Sequence, residues 1–256
     1  MRRVGLALML CFGCTWQAAA TPDYHEVRRD LIETMQQHDV LYQACLLNVQ
    51  NYRTPGYRAT SLVGYRRGPQ GRRLRLVVSQ GSLQETKDPY GLAIDGEGYF
   101  LLSDGRITRD GGFRMDRSGH LVTADGAFLM GYPQSQQSNL APLQVPLDFC
   151  NLTIEGDGKV MGTQLNGDGK PVQLGQIVLA QVEDGSWLDR SGPHLARNAD
   201  CGALRTAIPG KDGLGVLAQG YLEYSNVNPL QQVRIMSALT NYADLLGLPV
   251  FDQYLP

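Results

Sequence analysis

The stretch GLAIDGEGYFLLSDGRITRDGGFRMDRSGHLVTADGAFLMGY, Gly91 to Tyr132, sets short apolar runs between small turn pairs. YFLL, RITR, FRM, HLVT and AFLM read as brief strands. Asp95-Gly96, Asp104-Gly105, Asp110-Gly111, Ser118-Gly119 and Asp125-Gly126 fall between them. Asp-Gly tolerates the positive φ of tight hairpins, so the spacing predicts a run of hairpin strands. Two other readings compete. A calcium loop around LNGDGKPVQLG would put Asn166, Asp168 and Gly169 at its third, fifth and sixth positions. Its first position would then be Gln164 and its twelfth Gly175, without the acids that a calcium loop needs there. A phosphate cradle at DGEGYF lacks the GxGxxG that opens a helix.

Outward from this stretch the period-two pattern continues. Leu74, Leu76 and Val78 alternate with their neighbours, and LTIEGDGKVMG and GQIVLAQV add later strand candidates. Thr163–Lys170 and Asp184–Asp200 read as loops. The expectation is one all-β domain over residues 60–219, inserted between helical ends, an α+β chain.

The ends carry a different period. Tyr24, Val27, Leu31, Met35, His38, Tyr42, Cys45 and Val49 recur at steps of three or four, which predicts one helix from Asp23 to about Asn51. Pro22 suits its first turn and Asp23 with Glu26 its capping box; Thr54-Pro55-Gly56 stops it. Asn228-Pro229-Leu230-Gln231 opens a second helix. Its face is Leu230, Val233, Met236, Leu239, Tyr242 and Leu246, widened by Ile235 and Ala243, and Gly247 and Pro249 end it. Each helix is apolar on one side only, so each needs a partner. The expected division is residues 21–59 with 220–256 as a helical region in which the two helices pair, around the β domain.

Residues 1–20 read as a secretory signal. Arg2 and Arg3 precede the apolar Val4–Phe12, and Ala18-Ala19-Ala20 offers a cleavage site before Thr21. A competing reading, a lipoprotein cut before Cys14, meets Cys11 at a position that suits it poorly. No later apolar run is long enough to cross a bilayer. Removing Arg2 and Arg3 leaves 21 basic against 25 acidic side chains, which gives no case for nucleic acid. Cys45, Cys150 and Cys201 would remain. An oxidising compartment then allows one internal disulfide, and Cys150 with Cys201 is the expected pair.

Nothing in the sequence assembles a catalytic or cofactor site. The four histidines, His25, His38, His120 and His194, form no metal-ligand pair, and GxSxG is absent. Asp95, Glu97, Asp104 and Asp110 sit in turns, where acids serve the backbone and solvent. Arg66, Arg67, Arg72, Arg73 and Arg75 cluster around a Gly-Pro turn. A solvated strand and turn is the plain reading, and a polyanion patch the sharper one. Nineteen arginines against four lysines suit shape-keeping protein interfaces.

Three separated segments resemble the flagellar basal-body rod and hook protein family. NVQNYRTPGY is similar to the family's N-L-A-N-V-N-T-P-G-Y through Asn48, Asn51, Thr54, Pro55, Gly56 and Tyr57. Gly81 to Gly126 resembles the family's central pattern, including Asp95, Gly96, Gly98, Phe100, Thr108, Arg109, Asp110 and Gly111. GYLEYSNVNPLQQVRIM, Gly220 to Met236, is similar to the lead into the family's terminal helix. The likeness is nearest to rod proteins, whose β region is short. It implies a structural protein, not an enzyme, with no cofactor. Its terminal helices would pack with copies of themselves and with other rod or hook subunits, through Tyr24, Val27, Leu31, Met35, Tyr42 and Val49 and through Leu230, Val233, Met236, Leu239, Tyr242 and Leu246. The expected place is the periplasmic basal body, with contact to peptidoglycan. The signal sequence, the three cysteines and Thr240-Asn241-Tyr242-Ala243 in place of the usual Q-R-A-Y depart from the family. A different function class is a secreted binding module that takes a cell-wall glycan or polyanion through Arg66 to Arg75.

Overall fold

The computed structural model describes residues 24–62, 74–134, 139–191, 194–197 and 202–245. They fall into two units, residues 1–37 and residues 38–256. The described part of the first is the opening of helix α1, Tyr24–Gln50. The second holds the rest of α1, the β structure and helix α2, Pro229–Leu245. The chain is mostly β-strand with a helix toward each end, an α+β arrangement.

The strands run in chain order as β1 Thr60–Leu62, β2 Leu74–Leu76, β3 Leu83–Glu85, β4 Leu92–Asp95, β5 Tyr99–Leu101, β6 Ile107–Thr108, β7 Arg114–Met115, β8 Leu121–Val122, β9 Met130–Pro133 and β10 Ala141–Pro142. They continue as β11 Phe149–Ile154, β12 Lys159–Gln164, β13 Pro171–Ile177, β14 Leu179–Val182, β15 Asp189–Ser191, β16 His194–Ala196, β17 Leu204–Ala207, β18 Val216–Gln219 and β19 Tyr221–Glu223. Two larger antiparallel sheets have the orders β10-β9-β13-β12-β11 and β15-β16-β6-β5-β14-β17; four two-stranded ladders, β1-β2, β18-β4, β19-β3 and β7-β8, surround them.

The central strands β5, β6 and β14 of the six-stranded sheet are buried on both faces. On β5, Phe100 enters one apolar cluster with Leu92, Ile94, Phe113, Leu129, Ile177 and Leu179. Tyr99 and Leu101, pointing the other way, enter a second cluster with Leu76, Ile107, Ala180, Val182, Leu188 and Leu195. Period-two alternation therefore serves two cores, which is why YFLL is apolar throughout. Phe100 and Phe113 meet edge to face at 5.1 Å.

Not all of the turn pairs close hairpins. Asp104-Gly105 joins β5 to β6 and Ser118-Gly119 joins β7 to β8, both antiparallel pairs. Asp95-Gly96 instead hands the chain from β4, which pairs with β18, to β5, which pairs with β6 and β14. Gly111 is a close crossing: a Cβ there would lie 1.6 Å from the Leu92 carbonyl oxygen. Asp184–Asp200, expected as a loop, contains a 3-10 turn at Gly185–Trp187 and the β15-β16 hairpin. Asp189 and Arg190 hide that strand from a hydrophobic pattern. Thr163 and Gln164, also expected in a loop, end strand β12.

Candidate assembly junction

Helix α1 ends in a short turn that starts the junction. The Asn51 amide donates to the Leu47 carbonyl and the Thr54 hydroxyl to Asn51 Oδ1 at 3.1 Å. Gly56 then takes φ +67°, and a Cβ there would lie 2.1 Å from the Asp110 amide nitrogen, so only glycine lets the two segments touch. Tyr57, Arg58 and Ala59 run inward and are buried.

Asn48, with no exposed surface, joins α1 to β1, to α2 and to the segment that carries Tyr57. Its Nδ2 donates to the Thr60 carbonyl at 2.7 Å and to Gln232 Oε1 on α2 at 3.0 Å. Its Oδ1 accepts from the Tyr57 hydroxyl at 3.1 Å and the Thr60 amide at 2.9 Å. Every polar atom of this buried side chain is engaged, as burial demands. Arg190 stacks over the Tyr57 ring at 4.0 Å and donates to the Arg58 carbonyl and to Thr60 Oγ1. Burial pushes the Tyr57 hydroxyl above its ordinary value, with Arg190 opposing.

Glu223, on β19, is the second hub. Its carboxylate receives Arg109 Nε at 2.6 Å, Arg58 Nη1 at 2.7 Å and the Gly81 amide at 2.7 Å. Its own carbonyl accepts the Gly56 amide at 2.7 Å. Arg109 also donates to the carbonyls of Ile94, Gly96 and Gly98. Burial lowers the Arg109 pKa and the Glu223 carboxylate counters it. Asn226 completes the seam: its Oδ1 accepts the Ala59 amide at 2.6 Å while its Nδ2 donates to the carbonyls of Val77 and Ser79. Three segments far apart in sequence thus meet in one buried polar junction.

The expected helix faces divide. On α1, Tyr42 is buried and Met35 and Val49 are partly covered, while the side chains of Tyr24, Val27 and Leu31 lie outside the described residues. On α2, Leu239 is buried and Met236 partly so, but Leu230 and Val233 are 72% and 51% exposed; Leu246 lies outside the described residues. The inward face of α2 is Gln232, Leu239 and Ala243. The Tyr242 ring meets His38 at 5.0 Å and is otherwise largely exposed. Val40 and Leu47 on α1 flank a groove of about 590 Å³ bordered by Leu74, Leu76 and Leu188. Asn228 caps α2 through a hydrogen bond from the Gln231 amide at 3.2 Å, as its sequence predicts.

The other expected residues are dispersed. Arg75, on β2, is partly buried; Arg66, Arg67, Arg72 and Arg73 lie outside the described residues, as do residues 1–20 with Cys14. Cys150 is a free thiol 3.5 Å from the Thr163 carbonyl, and its expected partner Cys201 is outside the described residues. The turn acids cap their own backbone: Asp104, Asp110, Asp116, Asp157 and Asp168 each accept an amide two residues on. Asp168 also lies 3.4 Å from the Lys170 ammonium. Asp125 is the best-held acid. It accepts Thr123 Oγ1 at 2.6 Å, contacts His194 Nε2 at 3.0 Å and pairs with Arg106 at 2.8 Å. The Thr123 hydrogen bond, then His194 and Arg106, hold it well below the usual carboxylate range.

Residues 93–162 match the family model described as the flagellar hook protein FlgE/F/G D1 domain. The chain is 35% identical over 162 residues to the flagellar basal-body rod protein FlgG of Buchnera aphidicola, covering 61% of this chain and 58% of that one. It is 34% identical over 157 residues to FlgG of Bacillus subtilis, covering 59% and 56%. To the rod protein FlgF of Mesorhizobium japonicum it is 28% identical over 219 residues, covering 78% and 83%. Over these stretches the chain is similar to the flagellar basal-body rod and hook proteins. It aligns with somewhat over half the length of the FlgG relatives. The family-like residues Asn48, Gly56, Tyr57, Gly96, Gly98 and Arg109 are those that build the junction, whereas Phe100 lies in the core and Thr108 caps the Asp110 amide at 3.0 Å. Sequence reading passed over Arg58, Glu223, Asn226 and Gln232. The signal was polarity within apolar surroundings, as at Gln232 beside Val233.

Proposed function

We propose that this chain is a non-enzymatic structural subunit of the bacterial flagellar basal-body rod, exported to the periplasm, whose terminal helices pair and pack with copies of themselves and with other rod or hook subunits. The observation that carries the reading is the junction. Asn48 ties helix α1 to β1 and α2, and Glu223 ties Arg58 to Arg109 in the D1-like region, so that force on either helix passes into the β structure. A catalytic protein spends buried polar groups around a cleft; here they brace one segment against another. Apolar side chains exposed on α2 leave that helix with surface for a neighbour, and the curated FlgG relatives, rod proteins by name, support the same place for this chain. Contact with peptidoglycan follows from that place rather than from a particular side chain. The test is fractionation of cells making a tagged chain. Co-purification with detergent-extracted basal bodies, and loss of that co-purification when residues 229–256 are removed, is the expected result. Recovery only as a soluble periplasmic protein, in cells with intact basal bodies, contradicts it.

A further inference from the structure

We propose that Gln232 sets the rotation of helix α2 and thereby holds Leu230 and Val233 on its outer side. At 3.6 residues per turn, Gln232, Leu239 and Ala243 fall within about 40° of one another around the helix, and Leu230 lies about 160° from Gln232. The apolar series Leu230, Val233, Met236 and Leu239 argues for a different rotation, one that turns Leu230 and Val233 inward. In the structure a glutamine occupies that inward place, 9% exposed, while the leucine and valine beside it are 72% and 51% exposed. Hydrophobic burial alone favours the opposite choice.

What opposes it is Asn48. Its Nδ2 sits where no solvent reaches and has two hydrogens, one for the Thr60 carbonyl and one for Gln232 Oε1. Turning α2 would leave that second hydrogen buried without a partner, and an unsatisfied buried polar group costs more than a hydrogen bond gains. Asn48 cannot follow, because its Oδ1 is held by Tyr57 and Thr60. A buried polar contact of this kind fixes geometry at the expense of apolar packing. Its use in assembly rests on the rod-subunit reading; the rotational role does not.

The test is thiol labelling of the full-length chain bearing Val233→Cys, with and without Gln232→Ser, at dilutions where sedimentation shows monomer. Labelling is read at residue 233 by peptide mass, so native thiols do not interfere. Serine stays polar but is too short to reach Asn48, which retains its other three bonds. The expected result is rapid labelling with glutamine present and labelling slowed by up to about tenfold with serine, the worth of one net hydrogen bond, at unchanged helicity. Equal rates in the two chains overturn the proposal. So does faster labelling with lost helicity, since α2 would then have detached instead of turning. An assembly defect in cells with no change in labelling would count against this role alone and leave the rod-subunit reading standing.

Discussion

Glu223 shows how much one side chain can hold. It neutralises one of two arginines buried around it; Arg109 also donates to the Ile94, Gly96 and Gly98 carbonyls, and Arg58 to the Ser79 carbonyl. Glu223→Ala would leave Arg58 and Arg109 facing each other without a counter-charge. Breaking a buried pair in this way costs about 3–5 kcal/mol. Urea unfolding of the variant should show a loss of that size with an unchanged slope; a loss below about 1 kcal/mol would mean that solvent reaches the site. Asp125 makes a pH-dependent prediction. Its folded pKa is depressed, so its contribution is present above the unfolded value of about 3.9 and is lost as pH falls through the folded one. Below about pH 4 the melting temperature of the parent should fall more steeply than that of Asp125→Asn. Parallel curves would remove Asp125 from the account. Neither residue stands out in the sequence. Glu223 and Asp125 resemble any other surface acid until the fold brings Arg58, Arg109, Thr123, Arg106 and His194 to them.

At the level of elements, the sequence spoke most clearly where a signal is local. Asn228 caps α2 from three residues away, and Asp104-Gly105 turns β5 into β6, because both depend on adjacent backbone alone. Asp110-Gly111 carries the same letters and does another job. The reason for its glycine is the Leu92 carbonyl, which no local pattern reveals. The inward place of Gln232 on α2 has the same cause: its partner lies 184 residues earlier. The family-like motifs include Asn48, Gly56 and Arg109 but give no sign that these residues share one junction. Gly111→Ala tests the crossing. Its methyl would displace Leu92 from strand β4 and cost about 1–3 kcal/mol, as overpacking does. Thermal denaturation should register it, and Gly105→Ala, with no atom within 4 Å of its Cβ, should suffer only the strain of its φ.

For the molecule as a whole, the described structure combines two larger β-sheets and four short ladders with a C-terminal helix whose outward residues are unevenly apolar. Leu230, Val233 and Leu245 are exposed, and Arg234 and Asp244 are exposed among them. A one-sided helix was legible from its period, and its demand for a partner followed. Which side faces out was fixed by Asn48 and was not legible. Sedimentation velocity of the full-length chain across a range of concentrations, beside the double variant Leu230→Ser with Val233→Ser, is the most direct test of the assembly claim. The account predicts association that grows with concentration in the parent and is lost in the variant, with coincident melting curves at low concentration. A parent that stays monomeric throughout, or a variant that associates equally well, would contradict it.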